Sequence, residues 1–190
     1  MRSSPLYWDL AAADYAIGRV TFPADAGTRW CSHGDESVGI WDLGDQNGRT
    51  MLELGCGHGV ALEALAVAFP NGTFKGIDFS PGQLRLASER TRHLPNVTLS
   101  LGDARLGIPA GVGPYDDLLS IYGAFDFVPS PSLLLDLFLG GLAANGTCTL
   151  LTSVLPVFES VLRCPRLKIL RTSAIGPSWF VRGKVFIMGP

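Results

Sequence analysis

Residues 49–59, RTMLELGCGHG, decide the fold of this chain. The stretch begins as an apolar run that holds a single acid, Glu53, and it ends in three glycines at alternate positions, 55, 57 and 59. Residues 60–66, VALEALA, then have the composition of a helix. A buried strand that passes through a Gly-rich turn into a helix is where open α/β sheets bind nucleotide-like ligands.

Strand and helix patterns alternate downstream of this turn. Ser80 and Pro81 are typical of an N-cap and the first position of a helix, where a missing N–H costs nothing. The apolar runs and their Gly, Pro and Asn stops predict helices at 60–69, 81–93 and 132–144, and strands at 49–54, 73–78, 97–101, 117–122 and 147–154. This alternation predicts a mostly parallel sheet that helices cover on both faces.

The last part of the chain departs from this alternation. Residues 166–172 and 180–188 are two strand patterns joined by Ile175-Gly176-Pro177-Ser178, a connection too short for a helical crossover. The two strands are therefore expected to pair antiparallel. The predicted fold is α/β, a Rossmann-like three-layer sandwich whose seven-stranded sheet is mostly parallel and ends in an antiparallel C-terminal hairpin.

The N-terminal part is expected to cover the sheet without joining it. Residues 6–17 favour a short helix, and residues 18–48 are irregular and rich in glycine, with aromatic anchors at Phe22, Trp30 and Trp41. The predicted organisation is one domain, in which residues 1–48 are a helical and irregular cap and residues 49–190 form the ligand-binding unit.

Composition excludes several classes of protein. Charged residues make up 17% of the 190 residues and hydrophobic residues 47%, which favours an apolar substrate pocket or a buried face such as that of a homodimer. The net charge of -2 and the absence of a Lys/Arg cluster argue against a nucleic-acid partner. The four cysteines form no CxxC pair, which favours reduced thiols, no zinc site and a cytoplasmic location. No membrane span is predicted, because charged, polar and glycine residues interrupt the longest apolar stretch.

Four features in order along the chain resemble the class I S-adenosylmethionine-dependent methyltransferases of the small-molecule type. The resemblance covers about residues 49–190, including the terminal hairpin. The features are Glu53-Leu54-Gly55-Cys56-Gly57-His58-Gly59, Asp78 at the end of the second strand, Gly102-Asp103-Ala104 after the third, and Gly140-Gly141-Leu142 to Gly146 before the fifth. The cofactor so implied is S-adenosylmethionine, with S-adenosylhomocysteine as the product.

A nicotinamide or flavin dinucleotide fits the turn less well. The dinucleotide fingerprint requires a third small residue that closes the helix onto the strand. Counted from Gly55, that position holds Val60. The glycines and the preceding acid therefore suit a ligand whose amino acid end lies against the turn without a pyrophosphate.

The resemblance implies roles for the residues that match the motifs. Gly55 and Gly57 let the backbone approach the methionine portion, where a Cβ would occupy ligand space. Glu53 lies near the ligand's ammonium, and Asp78 accepts both ribose hydroxyls. A buried strand acid and a helix cap are the structural alternatives for these two carboxylates.

The adenine end is expected to lie against residues of the next two turns. Phe79 is expected to pack on the adenine face, and Asp103 to accept its amino group beside the backbone N–H of Ala104. A Gly-Asp pair after a strand is also an ordinary turn, which leaves the role of Asp103 open. Cys56, in the Gly-rich turn, and Ser120, in the fourth strand, complete the expected cofactor set.

The methyl acceptor is constrained mainly by what is missing from the sequence. Residues 120–123, SIYG, stand where nucleic-acid amino methyltransferases have an Asn/Asp-Pro-Pro-aromatic run, and residues 121–135 lack the glutamates of protein arginine methyltransferases. A small apolar or aromatic acceptor is therefore expected. The aromatic residues proposed to line its pocket are Trp30, Trp41, Tyr122, Phe125, Phe127 and Trp179.

The remaining expectations concern a roof, meaning the aromatic residues that cover the cofactor, and a general base. Aromatic residues of the N-terminal helix, Tyr15 and then Tyr7, are candidates to close over the cofactor, although aromatic residues on a helix are often core. His33 is the candidate base, because its loop is expected to lie over the pocket, with an exposed loop histidine as the alternative. His58 is expected beside the cofactor and His93 in solvent.

Two other functions stay open on the sequence alone. A methyltransferase fold can bind S-adenosylmethionine and catalyse another reaction, such as a cyclisation or an aminopropyl transfer from the decarboxylated cofactor. A non-catalytic partner subunit also suits the low charge. The intact set of Glu53, Gly55, Gly57 and Asp78 argues against the latter.

Overall fold

The structure is a computed structural model that describes residues 4–19 and 24–185. Phe22 of the expected cap and residues 186–188 of the expected last strand lie outside the described residues. The described α-helices are α1 (Pro5–Ala16), α2 (Val60–Ala68), α3 (Pro81–Thr91), α4 (Pro131–Leu139) and α5 (Leu155–Leu162). The described strands are β1 (Arg29–His33), β2 (Glu36–Gly39), β3 (Thr50–Leu54), β4 (Thr73–Asp78), β5 (Val97–Leu101), β6 (Tyr115–Ile121), β7 (Leu142–Thr152), β8 (Leu167–Ile175) and β9 (Ser178–Val185).

Seven strands form one sheet in the order β5-β4-β3-β6-β7-β9-β8. The first five strands of this order are parallel, whereas β9 pairs antiparallel with both β7 and β8. The predicted Rossmann-like sandwich with a C-terminal antiparallel hairpin is confirmed. The strand order reverses between β3 and β6, and the crevice beyond their carboxyl ends is the place where open α/β sheets bind ligands.

Alternate residues of each central strand face opposite sides of the sheet and feed two apolar clusters. Leu52 and Leu118 belong to the cluster that includes α4 and α5. Met51 and Leu119 belong to the cluster that includes α2 and Phe74. Strands buried on both faces explain why β3 and β6 read as nearly continuous apolar runs.

The fourth α-helix is shorter than the sequence predicts, and the following strand is longer. The prediction of a helix over 132–144 is wrong at its end, because α4 stops at Leu139 and residues 142–144 already belong to β7. The hydroxyl of Tyr115 donates to the carbonyl of Phe138, and Tyr115 is itself paired with Leu142 across β6 and β7. Asn145, with φ 65, lies in the irregular part of this pairing and therefore marks a bulge and not a helix stop.

The cap contains a hairpin that the irregular pattern did not predict. The strands β1 and β2 pair antiparallel, and His33 opposite Glu36 closes a two-residue turn in which Gly34 has φ 59. Such turns need a residue with positive φ, which Gly34 supplies. A 3-10 helix, Ile40–Leu43, follows β2 and packs its buried ends into the α2 side of the core.

The 3-10 helix of the cap is tied to the terminal hairpin by two arginines. Arg182 of β9 donates to the carbonyl of Asp42 at 2.8 Å and to that of Leu43 at 2.6 Å. Arg171 of β8 forms an ion pair with the Asp42 carboxylate. The last two strands therefore hold the 3-10 helix of the cap in place.

An ion pair between the half-exposed Arg49 and the buried Asp117 links three strands of the sheet. The Arg49 guanidinium donates to both carboxylate oxygens of Asp117, at 2.6 and 3.1 Å, and Thr147 donates to the same carboxylate. Burial of Asp117 with two donors joins β3, β6 and β7 at their amino ends. None of the described helices is both long and apolar enough to cross a membrane.

Candidate active site

A cavity of about 510 Å³ opens beyond the carboxyl ends of β3, β4 and β6, at the reversal of strand order. This volume lies in the range of small-molecule pockets. Residues of the Gly-rich turn, the ends of the strands and the cap line it together. The aromatic members of the lining are Trp8, Tyr15, Trp30, Phe79, Tyr122 and Phe127, and the acidic members are Glu53, Asp78 and Asp103.

The three glycines of the turn all have positive φ, but they serve different contacts. The φ values are 70, 53 and 78 at Gly55, Gly57 and Gly59. Gly55 lines the cavity, and a Cβ on it would lie 2.5 Å from the backbone nitrogen of Ala124, so a side chain there would collide with the protein's own backbone. A Cβ on Gly57 would have only Gln83 Oε1 nearby, at 3.8 Å, and would extend into open space at the cavity wall.

Glu53 is a buried acid that lines the cavity without a complete set of partners. Its residue exposure is 3%, and its Oε2 atom has no hydrogen-bond partner among the described residues. Burial, followed by the nearby carboxylate of Asp78, raises the pKa of Glu53 to about 8. A buried carboxyl of this kind is costly unless a cation or a donor pairs with it. A ligand that brings a cation or a hydrogen-bond donor to Glu53 would offset this cost.

Asp78 connects the end of β4 to the Gly-rich turn and to α3. Its Oδ2 accepts the backbone N–H of Gly57 at 2.9 Å, and its Oδ1 accepts that of Ser80 at 2.9 Å. Burial raises the pKa of Asp78, whereas the hydrogen bonds from Ser80 and Gly57 lower it. Since each carboxylate oxygen has a second acceptor direction, Asp78 still has acceptor capacity toward the cavity. Ser80 caps α3 as predicted, with Oγ accepting the N–H of Gln83 at 3.1 Å.

The turn after β5 presents Asp103 and Ala104 to the cavity. The Asp103 carboxylate forms an ion pair with Arg105, whose hydrogen bond lowers the pKa of Asp103. Asp103 also accepts the backbone N–H of Arg105 at 3.0 Å and so begins a 3-10 helix, Ala104–Leu106. Asp103 thus both shapes the turn and lines the cavity. Phe79 lines the cavity as well.

The rings of His58 and Tyr15 are in tilted contact at one edge of the cavity. Their ring centroids are 4.8 Å apart, with an interplanar angle of 35°. Burial, together with the positive charge of Arg90, lowers the pKa of His58 to about 4, which keeps the imidazole neutral at pH 7. Burial raises the pKa of Tyr15. The prediction that His58 lies beside the ligand site agrees with this position.

The N-terminal helix presents Trp8 rather than Tyr7 to the cavity. Trp8 lines the cavity and meets Phe127 edge-on at 5.1 Å between centroids. Tyr7, which the sequence analysis ranked after Tyr15 for the roof, is 38% exposed and does not line the cavity. The reason is the phase of α1, which places residues 8 and 15, two turns apart, on one face.

Three of the six aromatic residues expected around the acceptor line the cavity, namely Trp30, Tyr122 and Phe127. The other three do not. Trp41 is 69% exposed and meets Phe69 on the outside of the α2 side, Phe125 is buried in the α4 and α5 side of the core, and Trp179 stacks on Phe158.

Tyr122 has an unusual backbone conformation at the end of β6. Its φ is 47, which is uncommon for a bulky residue and is typical of functional or tightly constrained positions. The turn brings Gly123 against the carbonyl of Leu54, where a Cβ would approach to 2.4 Å. The Tyr122 hydroxyl is 2.7 Å from Ser178 Oγ, and burial raises the pKa of Tyr122 to about 12.

His33 and Ser120, two of the expected site residues, do not line the cavity. His33 is exposed at the tip of the cap hairpin, where its ring packs against Gly176. The expectation that its loop covers the pocket is not met, because the chain turns back at Gly34 and only the start of β1 reaches the cavity. Ser120 is buried and donates to the carbonyl of Leu54 at 3.1 Å, which joins β6 to β3.

The lining also includes three side chains that were not predicted from the sequence, namely Trp8, Arg29 and Gln83. Gln83 is the third residue after the N-cap of α3, and the first turn of that helix faces the Gly-rich turn. This helix position was the available signal for Gln83. For Arg29 and Trp8, no signal in the sequence gave the orientation of the cap.

Comparisons with known proteins indicate a methyltransferase domain. Residues 51–141 match the family described as a methyltransferase domain. The trans-aconitate 2-methyltransferase of Methylobacterium radiotolerans is 32% identical over 98 residues, which are 52% of this chain and 35% of that protein. The chain thus spans about a third of the length of the curated enzymes of this name that it matches.

Solved structures agree in fold. A SAM dependent methyltransferase from Aquifex aeolicus superposes with a TM-score of 0.70 at 15% identity, over 90% of this chain and 97% of that one. The cyclase SpnF superposes with a TM-score of 0.65 at 16% identity, over 76% of this chain and 77% of that one. At such identities the likeness concerns the fold alone, and the same fold occurs in proteins with different reactions.

Proposed function

We propose that this chain transfers a methyl group from S-adenosylmethionine to a small acceptor with an apolar or aromatic body, because residues 51–141 match a methyltransferase domain and the fold is that of S-adenosylmethionine-dependent methyltransferases. One observation carries the proposal most directly. Glu53 lines the cavity, its buried Oε2 has no hydrogen-bond partner among the described residues, and the cofactor's ammonium is the kind of group that would pair with this carboxyl. The match of residues 51–141 to a methyltransferase domain supports the coarser part of this proposal, S-adenosylmethionine-dependent methyl transfer.

The chain's residues suit both charges at the amino acid end of the cofactor. Glu53 would pair with the ammonium. Arg29 lines the same cavity, and its segment packs on the first turn of α2, where a Cβ on Gly27 would lie 2.8 Å from the carbonyl of Val60. A guanidinium close to a helix N-terminus favours a carboxylate. Gly57 leaves open space beside these groups.

The remaining cofactor residues are proposed by position in the lining. Asp78 has free acceptor directions for the ribose hydroxyls, while its two backbone hydrogen bonds hold it in place. Phe79 and Ala104 offer apolar surface and a backbone group for adenine. Asp103 is already paired with Arg105, so we propose that both side chains border the adenine edge together.

When bound, S-adenosylmethionine supplies a methyl group on a sulfonium, which is a reactive electrophile. The chain's own contribution is to position the acceptor and to exclude water. Trp30, Tyr122 and Phe127 would hold the acceptor's apolar body, and Trp8 and Tyr15 would form the roof. Tyr15 would therefore act as a positioning residue, and His33, which lies outside the lining, would not act as a base.

Three titratable side chains of the described lining, Tyr15, Tyr122 and His58, are poor bases at neutral pH. Burial raises the pKa of Tyr15 and raises that of Tyr122 to about 12, and burial lowers the pKa of His58 to about 4. Acceptors that are deprotonated at neutral pH, or that lose their proton to water, fit this environment best.

The proposed function is tested by turnover of S-adenosylmethionine against matched sets of phenols, amines and carboxylic acids. We expect production of S-adenosylhomocysteine with at least one set, and a labelled methyl group in its product. Calorimetry should show binding of S-adenosylhomocysteine to the wild-type protein. Absence of binding would contradict the proposal, because the cradle would then hold another ligand.

A cyclisation without methyl transfer is the second candidate, since the cyclase SpnF has the same fold. Binding of the cofactor without transfer of a labelled methyl group to any acceptor would favour it. A non-catalytic partner subunit would bind no cofactor at all.

We make three further proposals, on the cap, the cellular location and the partners of the chain. Residues 1–48 would act as a cap on the unit formed by residues 49–190, and the chain would act in the cytoplasm, alone or as a homodimer, without a nucleic-acid partner.

A further inference from the structure

Asp9 lies where α1 crosses the first turn of α3. Its Oδ1 accepts the hydroxyl of Ser80 at 2.5 Å and the backbone N–H of Gly82 at 2.8 Å. Next to it, Gln83 Nε2 donates to the carbonyl of Trp8 at 3.2 Å. Three hydrogen bonds therefore join one turn of α1 to one turn of α3, and two of them end on a single carboxylate oxygen.

The two helices touch most closely at this point. A Cβ on Gly82 would lie 2.9 Å from Asp9 Oδ1 and 3.3 Å from the Cβ of Ala12, which is 1% exposed. Elsewhere α1 buries little apolar surface, since Leu6 and Leu10 are both more than 60% exposed. The polar contact at Asp9 is therefore a large part of what holds α1 on the protein.

The face of α1 on either side of this contact carries two roof residues. Trp8 meets Phe127, which follows β6, and Tyr15 contacts His58, which is in the Gly-rich turn. Because α1 reaches both sides of the cavity, its departure would open the roof over the cavity's two ends at once. Asp9 is adjacent to Trp8 but does not itself line the cavity.

Ser80 connects the roof contact to the cavity wall. Its hydroxyl donates to Asp9, and its backbone N–H donates to Asp78 Oδ1 at 2.9 Å. Asp78 in turn holds the N–H of Gly57. A continuous path of hydrogen bonds thus runs from α1 to the Gly-rich turn.

We propose that Asp9 is a positioning residue that docks α1 as a latch over the cavity and, through Ser80, ties this docking to the wall that holds Asp78. Release of the bound product requires this latch to open. The part of the inference that concerns product release rests on the proposed function, whereas the docking of α1 does not.

Hydrogen exchange of the free protein tests the docking, with two variants and one control. Asp9→Ala removes both hydrogen bonds, and we expect the amides of α1 to exchange about tenfold to a hundredfold faster, given the usual strength of hydrogen bonds to a charged group. Asp9→Asn retains an oxygen acceptor and should restore most of the protection. Asp14→Ala is the control, because Asp14 lies on the same helix and pairs with Arg19. Unchanged exchange of α1 in Asp9→Ala would overturn the proposal.

The rate at which S-adenosylhomocysteine leaves the protein, measured by stopped-flow displacement, tests the latch. We expect release about tenfold faster or more in Asp9→Ala, close to wild type in Asp9→Asn and Asp14→Ala, and exchange of the β3 and α2 amides unchanged in all three. Faster exchange of α1 with an unchanged release rate would overturn the latch. Failure of the wild-type protein to bind S-adenosylhomocysteine would instead contradict the proposed function, and the exchange of α1 would still decide whether Asp9 docks the helix.

Discussion

The carboxylate of Asp78 accepts a hydrogen bond of 2.9 Å from the backbone N–H of Gly57, which lies 21 residues earlier in the chain. The same carboxylate holds Ser80 at the start of α3. A residue that would bind the cofactor also shapes the turn on which the cofactor would lie. Binding and local structure at this position are therefore coupled.

Replacement of Asp78 by Asn should weaken both cofactor binding and the local structure of the Gly-rich turn. An amide can accept one of the two backbone N–H groups, but its NH₂ then faces the other donor. We expect affinity for S-adenosylhomocysteine to fall about a hundredfold by calorimetry, and the melting temperature to fall by about 3–6 °C, as for a lost buried hydrogen bond. Asp103→Asn, at a more exposed carboxylate, is the control and should change both quantities less. Equal effects of the two variants would contradict the coupling.

The pH dependence of cofactor binding should report the ionisation of Glu53. Because the pKa of Glu53 is about 8, the free protein holds a proton there at pH 7, and pairing with an ammonium would release that proton. Affinity should then rise up to about tenfold per pH unit between pH 6 and pH 8 and level off above. Calorimetry in buffers of different ionisation enthalpy should show release of about one proton. Glu53→Gln should abolish this slope and weaken binding at pH 8.

Glu53 should also make the free protein less stable as pH rises. The pKa in the folded state, about 8, lies above the ordinary value of 4.5, so protonation favours the folded state and this contribution is lost between those two pH values. Glu53→Gln should therefore raise the melting temperature at pH 8.5 by about 5 °C or more, and change it little at pH 4. A lower melting temperature at pH 8.5 would show that the carboxylate has a partner in the free protein.

Two glycine variants should separate folding from binding. Gly55→Ala places its Cβ against the backbone at Ala124, and we expect loss of stability of about 3 kcal/mol or more by denaturant unfolding. Gly57→Ala meets only open space, and its positive φ should cost about 1–2 kcal/mol. Folded Gly57→Ala should nevertheless lose affinity for S-adenosylhomocysteine about a hundredfold, because the methyl group enters the cavity. Retained affinity in this variant would contradict the proposed placement of the cofactor.

Arg29→Met should weaken cofactor binding without unfolding the protein. The Arg29 side chain lines the cavity and is paired at the surface with Asp25, and such exposed pairs add about 1 kcal/mol or less to stability. We expect affinity for S-adenosylhomocysteine to fall about tenfold or more through loss of the ion pair with its carboxylate. Arg19→Met removes the comparable surface pair with Asp14 and should leave affinity unchanged.

His33→Ala should have no effect on cofactor affinity or on turnover of any acceptor that the wild-type protein methylates. The side chain is exposed and packs on Gly176 away from the cavity. The pH profile of turnover should also stay the same. A drop of about tenfold in turnover would indicate that His33 acts as a base.

Strong local signals explain what the sequence predicted. The apolar runs of β3 to β7 and the glycines after β3 each determine their own conformation, and the family resemblance added Glu53, Gly57 and Asp78, which all line the cavity. The predicted end of α4 was wrong, because Asn145-Gly146 is as good a helix stop signal as Gly140-Gly141. Only the pairing of Tyr115 with Leu142 decides between them.

The cap was harder, because its orientation depends on distant contacts. The hairpin of β1 and β2 is short and mostly exposed, so it has no clear alternation of apolar residues. The apolar residues of α1 surround the helix, so their spacing cannot show that Trp8 and not Tyr7 faces the cavity. His33 follows Arg29 by only four residues, yet the strand carries it away from the site.

The two arginines that hold the 3-10 helix of the cap also set an order of assembly during synthesis. Arg182 donates to the carbonyl of Leu43, which is separated from it by 139 positions. A ribosome makes Leu43 and the whole Gly-rich turn long before Arg182, and the N-terminal parts of a chain begin to fold first. The hydrogen bonds from β9 to the 3-10 helix therefore form later than the contacts of Ile40 and Leu43 with the α2 side of the core, so the cap is fastened to the sheet in two steps.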